Sequence, residues 1–250
     1  MNTLHAEWTK LRTAPGTLGL TLGLAVAIAG VSVAAAASLA CPMVDACDGD
    51  PTRVGLTGVQ LGQAVVAVIA VLVVGTEYSS GLIRPTLAAM PRRTSVLAAK
   101  AALIGALVAV ASAVGVLASL LIGRIILRDH GFTVPAATAV LRPAIGSVLY
   151  LTLIALLSVG VAFAVRSSAA GIGVVLGLLY LFPVVALAAS DPIWQRRLQQ
   201  IGPSTAGLGI LATDDLDDLV LSPWAGLGVL ALWALAGLVV GALVLTHHDA

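Results

Sequence analysis

Six runs of the chain, at about 16–40, 57–76, 101–123, 143–165, 169–189 and 224–246, contain no Asp, Glu, Lys or Arg. A helix needs roughly 20 consecutive apolar residues to cross a hydrocarbon core of about 30 Å. Runs of this length, repeated along 250 residues, leave little room for a water-soluble core. Composition agrees: 59% of residues are hydrophobic and 10% charged, against about 45–50% and about 25% in a soluble domain. The pattern predicts an all-α polytopic integral membrane protein of six transmembrane helices, forming one unit over residues 1–250. Pro183 falls inside the fifth run and predicts a kink there, because proline removes an N–H from the helix ladder. The first run ends in small residues, "AAAASLAC". Its uncharged length exceeds the about 7–15 residues of a signal-peptide core, so it reads as a retained span.

Six spans put both termini on one side. With the termini inside, Lys10, Arg12, Arg84, Arg92, Arg93, Lys100 and Arg166 face the cytoplasm, and Arg53, Arg124, Arg128, Arg142, Arg196 and Arg197 face out. The bare count is nearly balanced, but the segment after the second span alone carries four basic residues close to span ends, which is what orients a chain. Cys41 and Cys47 then fall outside, where a disulfide persists. Five residues including Pro42 separate them, short enough for closure, so a Cys41–Cys47 disulfide is expected.

The polar segments differ in kind. In "MNTLHAEWTKLRTAP" Leu4, Trp8 and Leu11 recur at i, i+4 and i+7, one face of a helix. This predicts an interfacial helix over 1–15, anchored in the headgroup zone by Trp8. The segment 77–100 is longer than an anchor requires. Glu77 is expected to open a short helix, where the helix dipole favours a carboxylate. Gly81 and Pro85 punctuate, and Leu82, Leu87 and Met90 form a small apolar face beside Arg84, Arg92 and Arg93. These arginines suit either a positive-inside anchor or a surface that docks acidic groups or lipid phosphates.

"GTEYSSGLIRPTLAAMPRRTSVLAAK" resembles the first cytoplasmic loop of ABC type-2 exporter permeases, in particular compact six-span membrane subunits of actinobacterial type. The matching positions are Glu77, Tyr78, Gly81, Ile83, Arg84, Thr86, Leu87, Pro91, Arg92, Arg93 and Lys100. "EWTKLRT" is similar to the family's N-terminal elbow helix and "LSPWAG" to its lead-in to the last span. Leu82 stands where the family usually has Thr, and the tail "THHDA" departs from the usual Arg-Arg-Asp-Ala. The resemblance implies a cytoplasmic coupling helix in 77–100 that docks on a separate ATP-binding subunit through Glu77, Tyr78, Gly81, Arg84, Leu87, Pro91, Arg92 and Arg93. It also implies a second permease copy, homodimeric or related, and short re-entrant helices in the outer loop 190–223. The expected place is a bacterial plasma membrane, multi-pass, with both termini cytoplasmic.

Several chemistries are disfavoured. Net charge +1 gives no basic field for nucleic acid. The two lysines, Lys10 and Lys100, do not follow glycine, so no phosphate-binding loop is present. The chain is therefore expected to be no enzyme and to hold no cofactor, with ATP and Mg bound by the partner subunit. The six runs lack ionisable side chains, which disfavours a secondary transporter, and the four histidines lie outside them. His247, His248 and Asp249 read as a solvated tail and not as a metal site. Gln60 and Gln63 read as bridges between helices, with lining of a path as the alternative. Gly19/Gly23, Gly58/Gly62, Gly173/Gly177 and Gly237/Gly241 are spaced for close helix approach. The expected function is the membrane-spanning permease subunit of an ATP-driven exporter. The alternative is a non-transporting membrane anchor, immunity or sensor subunit.

Overall fold

The computed structural model describes residues 15–38, 50–81, 93–129, 137–214, 216 and 219–247. Leu4, Trp8 and Leu11, the Cys41–Cys47 pair, and Arg84, Leu87, Pro91 and Arg92 lie outside the described residues. Within them the chain is helical: α1 (Pro15–Ser38), α2 (Pro51–Gly55), α3 (Gly58–Ser79), α4 (Arg93–Asp129), α5 (Ala137–Val165), α6 (Ser168–Leu176), α7 (Phe182–Leu187), α8 (Pro192–Ile201), α9 (Pro203–Gly207) and α10 (Pro223–His247). Five stretches, 52–79, 94–126, 139–165, 168–187 and 223–247, are long and apolar enough to cross a membrane. The helix α1 spans 24 residues, with Leu22–Ser38 apolar.

Because these helices are apolar on every side, hydrophobic pattern does not select their inner faces; close packing does. In α1 the buried positions Leu24, Ile28, Ser32 and Ala36 recur every four residues, while Leu22 and Val26 stay exposed. That stripe meets α3 and α4 at glycines. A Cβ on Gly58 would lie 2.0 Å from the Ile28 carbonyl oxygen, and one on Gly115 would lie 3.1 Å from that of Ala25. The Gly58 N–H donates to Ser32 Oγ at 3.0 Å, so the contact also satisfies an amide at the start of α3. The central helix α5 buries Tyr150, Leu151, Ile154, Ala155, Val159, Ala162 and Phe163. It meets α10 almost backbone to backbone: a Cβ on Gly160 would lie 2.3 Å from the Gly237 carbonyl carbon. Of the four glycine pairs, Gly58/Gly62 and Gly237/Gly241 sit at such contacts, while Gly19/Gly23 and Gly173/Gly177 have open space beside them.

The expected break at Pro183 takes a specific form. A π-helical turn, Gly177–Leu181, joins α6 to α7. Pro183 cannot donate to the carbonyl four residues back, at Leu179. Ser204 supplies the missing donor, its Oγ lying 2.7 Å from Leu179 O. Ser204 belongs to α9, which with the following 3-10 turn Leu208–Leu211 tucks between the helices. There Pro203, Ser204, Ala206, Gly207, Ile210 and Leu211 are buried. Gly207 lies against the Tyr150 ring, and Gly146 against Ile210.

Candidate functional site

The site is built at the end of the bundle where α3 leaves and α4 returns. Glu77 sits in the last turn of α3 and does not open a short helix, contrary to the expectation from its place after the apolar run. A carboxylate there opposes the helix dipole, so it needs a cation. The cation is Lys100, two turns into α4, whose Nζ lies 2.7 Å from Glu77 Oε1. The pair is protected from solvent, with side-chain exposures of 4% for Lys100 and 14% for Glu77. Both helices run further than their uncharged cores suggested, so the connection between them is 80–92 instead of 77–100. An uncharged run stops at the first charge; the protected ion pair lets each helix continue past it.

Around this pair, Tyr78 stands edge-on to Phe163 of α5, ring centroids 6.1 Å apart and planes at 80°, a favoured aromatic geometry. Gly81 ends α3 with φ 72°, a conformation that glycine adopts without a Cβ penalty. Arg93 begins α4. Gly75 lies against Ser168, where a Cβ would approach Ser168 Oγ to 2.3 Å. Arg166 closes the α5–α6 turn with φ 58° and donates from Nη2 to the Val244 carbonyl at 2.9 Å. Glu77 is thus brought to Lys100 of α4 and Tyr78 to Phe163 of α5, with Arg166 held on α10, while a Cβ on Gly81 would meet nothing within 4 Å. A signal for Lys100 existed: with Glu77 it bounds the segment 77–100 in the sequence.

Two further polar contacts hold the other half. Gln63 bridges helices, as read from the sequence: Tyr150 of α5 donates to its Oε1, and both residues are buried. Gln60 contributes through its backbone, accepting from Tyr180 Oη at 2.6 Å. At the opposite end from 80–92, Asp50 caps α2, accepting from Thr52 N at 2.9 Å and Arg53 N at 3.1 Å. It also accepts from the Thr213 backbone N–H, from Thr213 Oγ1 at 2.6 Å and from Asp214 N at 3.3 Å. Burial works to raise its pKa, but the Thr213 hydrogen bonds, followed by those of Arg53 and Asp214, hold the carboxyl below its ordinary value. Among the described residues no cluster of His, Cys, Asp and Glu could hold a metal ion.

Five apolar membrane-length helices and this internal polar stitching, with helix as the regular structure of the described residues, define a multi-pass membrane protein. A model of the ABC-2 family transporter proteins matches residues 3–184. The chain belongs to that family, whose members are the membrane components of ABC transporters. No curated protein matches the chain.

Proposed function

We propose that the chain is the permease subunit of an ATP-driven exporter, working as a pair of copies, or with a related chain, and driven by a separate ATP-binding subunit that carries ATP and Mg. Six spans are completed by α1, whose 24 residues measure about 36 Å at the helical rise. The termini then lie on the cytoplasmic side of a bacterial plasma membrane, preceded by the elbow helix of Leu4, Trp8 and Leu11. The outer loop 190–223 re-enters as a cap on the outer end.

The observation that carries the coupling is the Glu77–Lys100 pair, which ties the two feet of the 80–92 connection to each other. A docking helix held on tied feet moves α3 and α4 as one body, and Tyr78 passes that motion to α5 through Phe163. Glu77, Tyr78, Gly81, Arg84, Leu87, Pro91, Arg92 and Arg93 supply the docking face in this reading.

The test is R92E/R93E, which turns attraction for an acidic partner surface into repulsion, an effect of several kcal/mol. Two readouts are taken: side-specific labelling of 80–92, and ATPase activity retained on the purified permease. Correct topology with lost ATPase supports docking. Full ATPase retention refutes it, and a misoriented protein returns the arginines to a topogenic role.

A further inference from the structure

The packing of α5, α6–α7 and α10 leaves a groove of about 570 Å³, within the about 300–1,000 Å³ typical of small-molecule sites. Leu157, Val161, Val174, Phe182, Trp233 and Val240 are among its apolar walls. Its one polar group, the Trp233 indole N–H, is committed to the Ile201 carbonyl at 2.8 Å. The walls run from Val174 to Val185, a rise of about 16 Å along the helix. Such a channel accommodates hydrocarbon and rejects polar solute.

One end of the groove is closed by α8. Trp233 holds Ile201, and Gly202 lies so near Phe182 that a Cβ would come within 2.8 Å of the ring. The helix α8 has no buried residue and belongs to the end opposite 80–92, where α7 stops and α10 starts. Its exposed side carries Ile193, Trp194 and Ile201. Arg196 and Arg197 are also exposed, and among the described residues neither has an ion pair. The Arg197 guanidinium lies 5.9 Å from the Trp194 ring centroid, a cation–π distance. From Ile201 back to Arg197 is about 6 Å of rise, toward Pro192 and the end of α7. Tryptophan favours the headgroup level, and unpaired arginines within a bilayer reach for phosphate.

We propose that this groove and α8 together bind an anionic phospholipid of the leaflet opposite 80–92, one acyl chain in the groove and the phosphate on Arg196 and Arg197. Charge complementarity selects the head: guanidinium and phosphate form paired, charge-assisted hydrogen bonds. The walls select the tail. This site is independent of the ATP-driven reading and needs no partner subunit.

Native mass spectrometry of the full-length chain tests it, with dioleoyl phosphatidylglycerol, dioleoyl phosphatidylcholine and inorganic phosphate as separate probes. Phosphatidylglycerol is expected to bind roughly tenfold or more tighter than phosphatidylcholine, from two arginines at an anionic headgroup, and phosphate alone not to bind. R196Q/R197Q should remove that preference and R196K/R197K keep most of it. Gly177→Leu should weaken both lipids, because Gly177 lines the groove and a Cβ there meets nothing within 4 Å. Equal binding of both lipids, unchanged by the variants, overturns the site. Competition by free phosphate reduces it to an anion site without a tail. Loss of dimer with unaltered lipid binding in Gly177→Leu assigns the groove to a second copy.

Discussion

Lys100→Met isolates the pair at the feet of the 80–92 connection. Methionine keeps the length and apolar stem of lysine, so packing in α4 changes little. The ammonium is lost, and Glu77 is left with a protected carboxylate at a helix end that disfavours it. Breaking a buried pair by removing one partner costs about 3–5 kcal/mol. Glu77 retains 14% of its side-chain surface, so water offsets part of this and the low end, about 3 kcal/mol, is expected. That is roughly a hundredfold in the folded-to-unfolded ratio. Glu77→Gln should cost a similar amount by removing the carboxylate charge that lies 2.7 Å from the Lys100 ammonium, which is 4% exposed. The double variant should cost less than the sum of the two single losses, because removing both charges takes away the coupling of the pair together with its two halves. The assay is equilibrium unfolding in detergent for the parent, both single variants and the double. Single variants within about 0.5 kcal/mol of the parent, or a double variant equal to the sum of the singles, refutes the reasoning.

Gly160→Ala should destabilise by about 1–3 kcal/mol, since its Cβ meets the Gly237 carbonyl carbon at 2.3 Å and Leu238 N at 2.5 Å, both backbone atoms. Gly173→Ala, with nothing within 4 Å, should be neutral or slightly stabilising, and thermal melts of the two variants beside the parent check both. Tyr150→Phe should cost about 1–3 kcal/mol by stranding the buried Gln63 oxygen, measured by unfolding in detergent. Asp50 has a lowered folded pKa, so its contribution is full above the ordinary carboxyl value of 3.8 and is lost as pH falls through the lower folded value. Acidifying across that window should lower the parent's melting temperature, while Asp50→Asn, already weakened, should respond less.

The existence of the spans was legible because it depends on a one-dimensional quantity, the length of uncharged apolar chain measured against bilayer thickness. So was the special character of the segment after the second span, where Glu77, Gly81 and the arginines break a chain that elsewhere avoids charge. The helix-breaking role of Gly81 was also readable, and its φ of 72° is the reason. The bridging reading of Gln63 held too, since a buried amide must find a partner and Tyr150 supplies it.

What the tertiary structure decided is which faces meet. A soluble helix announces its inner face by amphipathicity, but in α1 the buried Leu24 and Ile28 and the exposed Leu22 and Val26 are chemically alike. Lipid and protein interior are equally apolar, so transfer between them carries little free energy and packing shape chooses. Gly160 shows this: in a chain with 26 glycines, only the approach of α10 distinguishes it. The same holds for Ser204, which becomes the donor to Leu179 because α9 folds back across a proline break. The ends of α3 and α4 lie beyond the uncharged runs for a related reason: a charge reads as the limit of a membrane helix until its counter-charge is seen beside it. Glu77 and Lys100 are 23 residues apart in sequence and 2.7 Å apart in space, a proximity that no local pattern encodes.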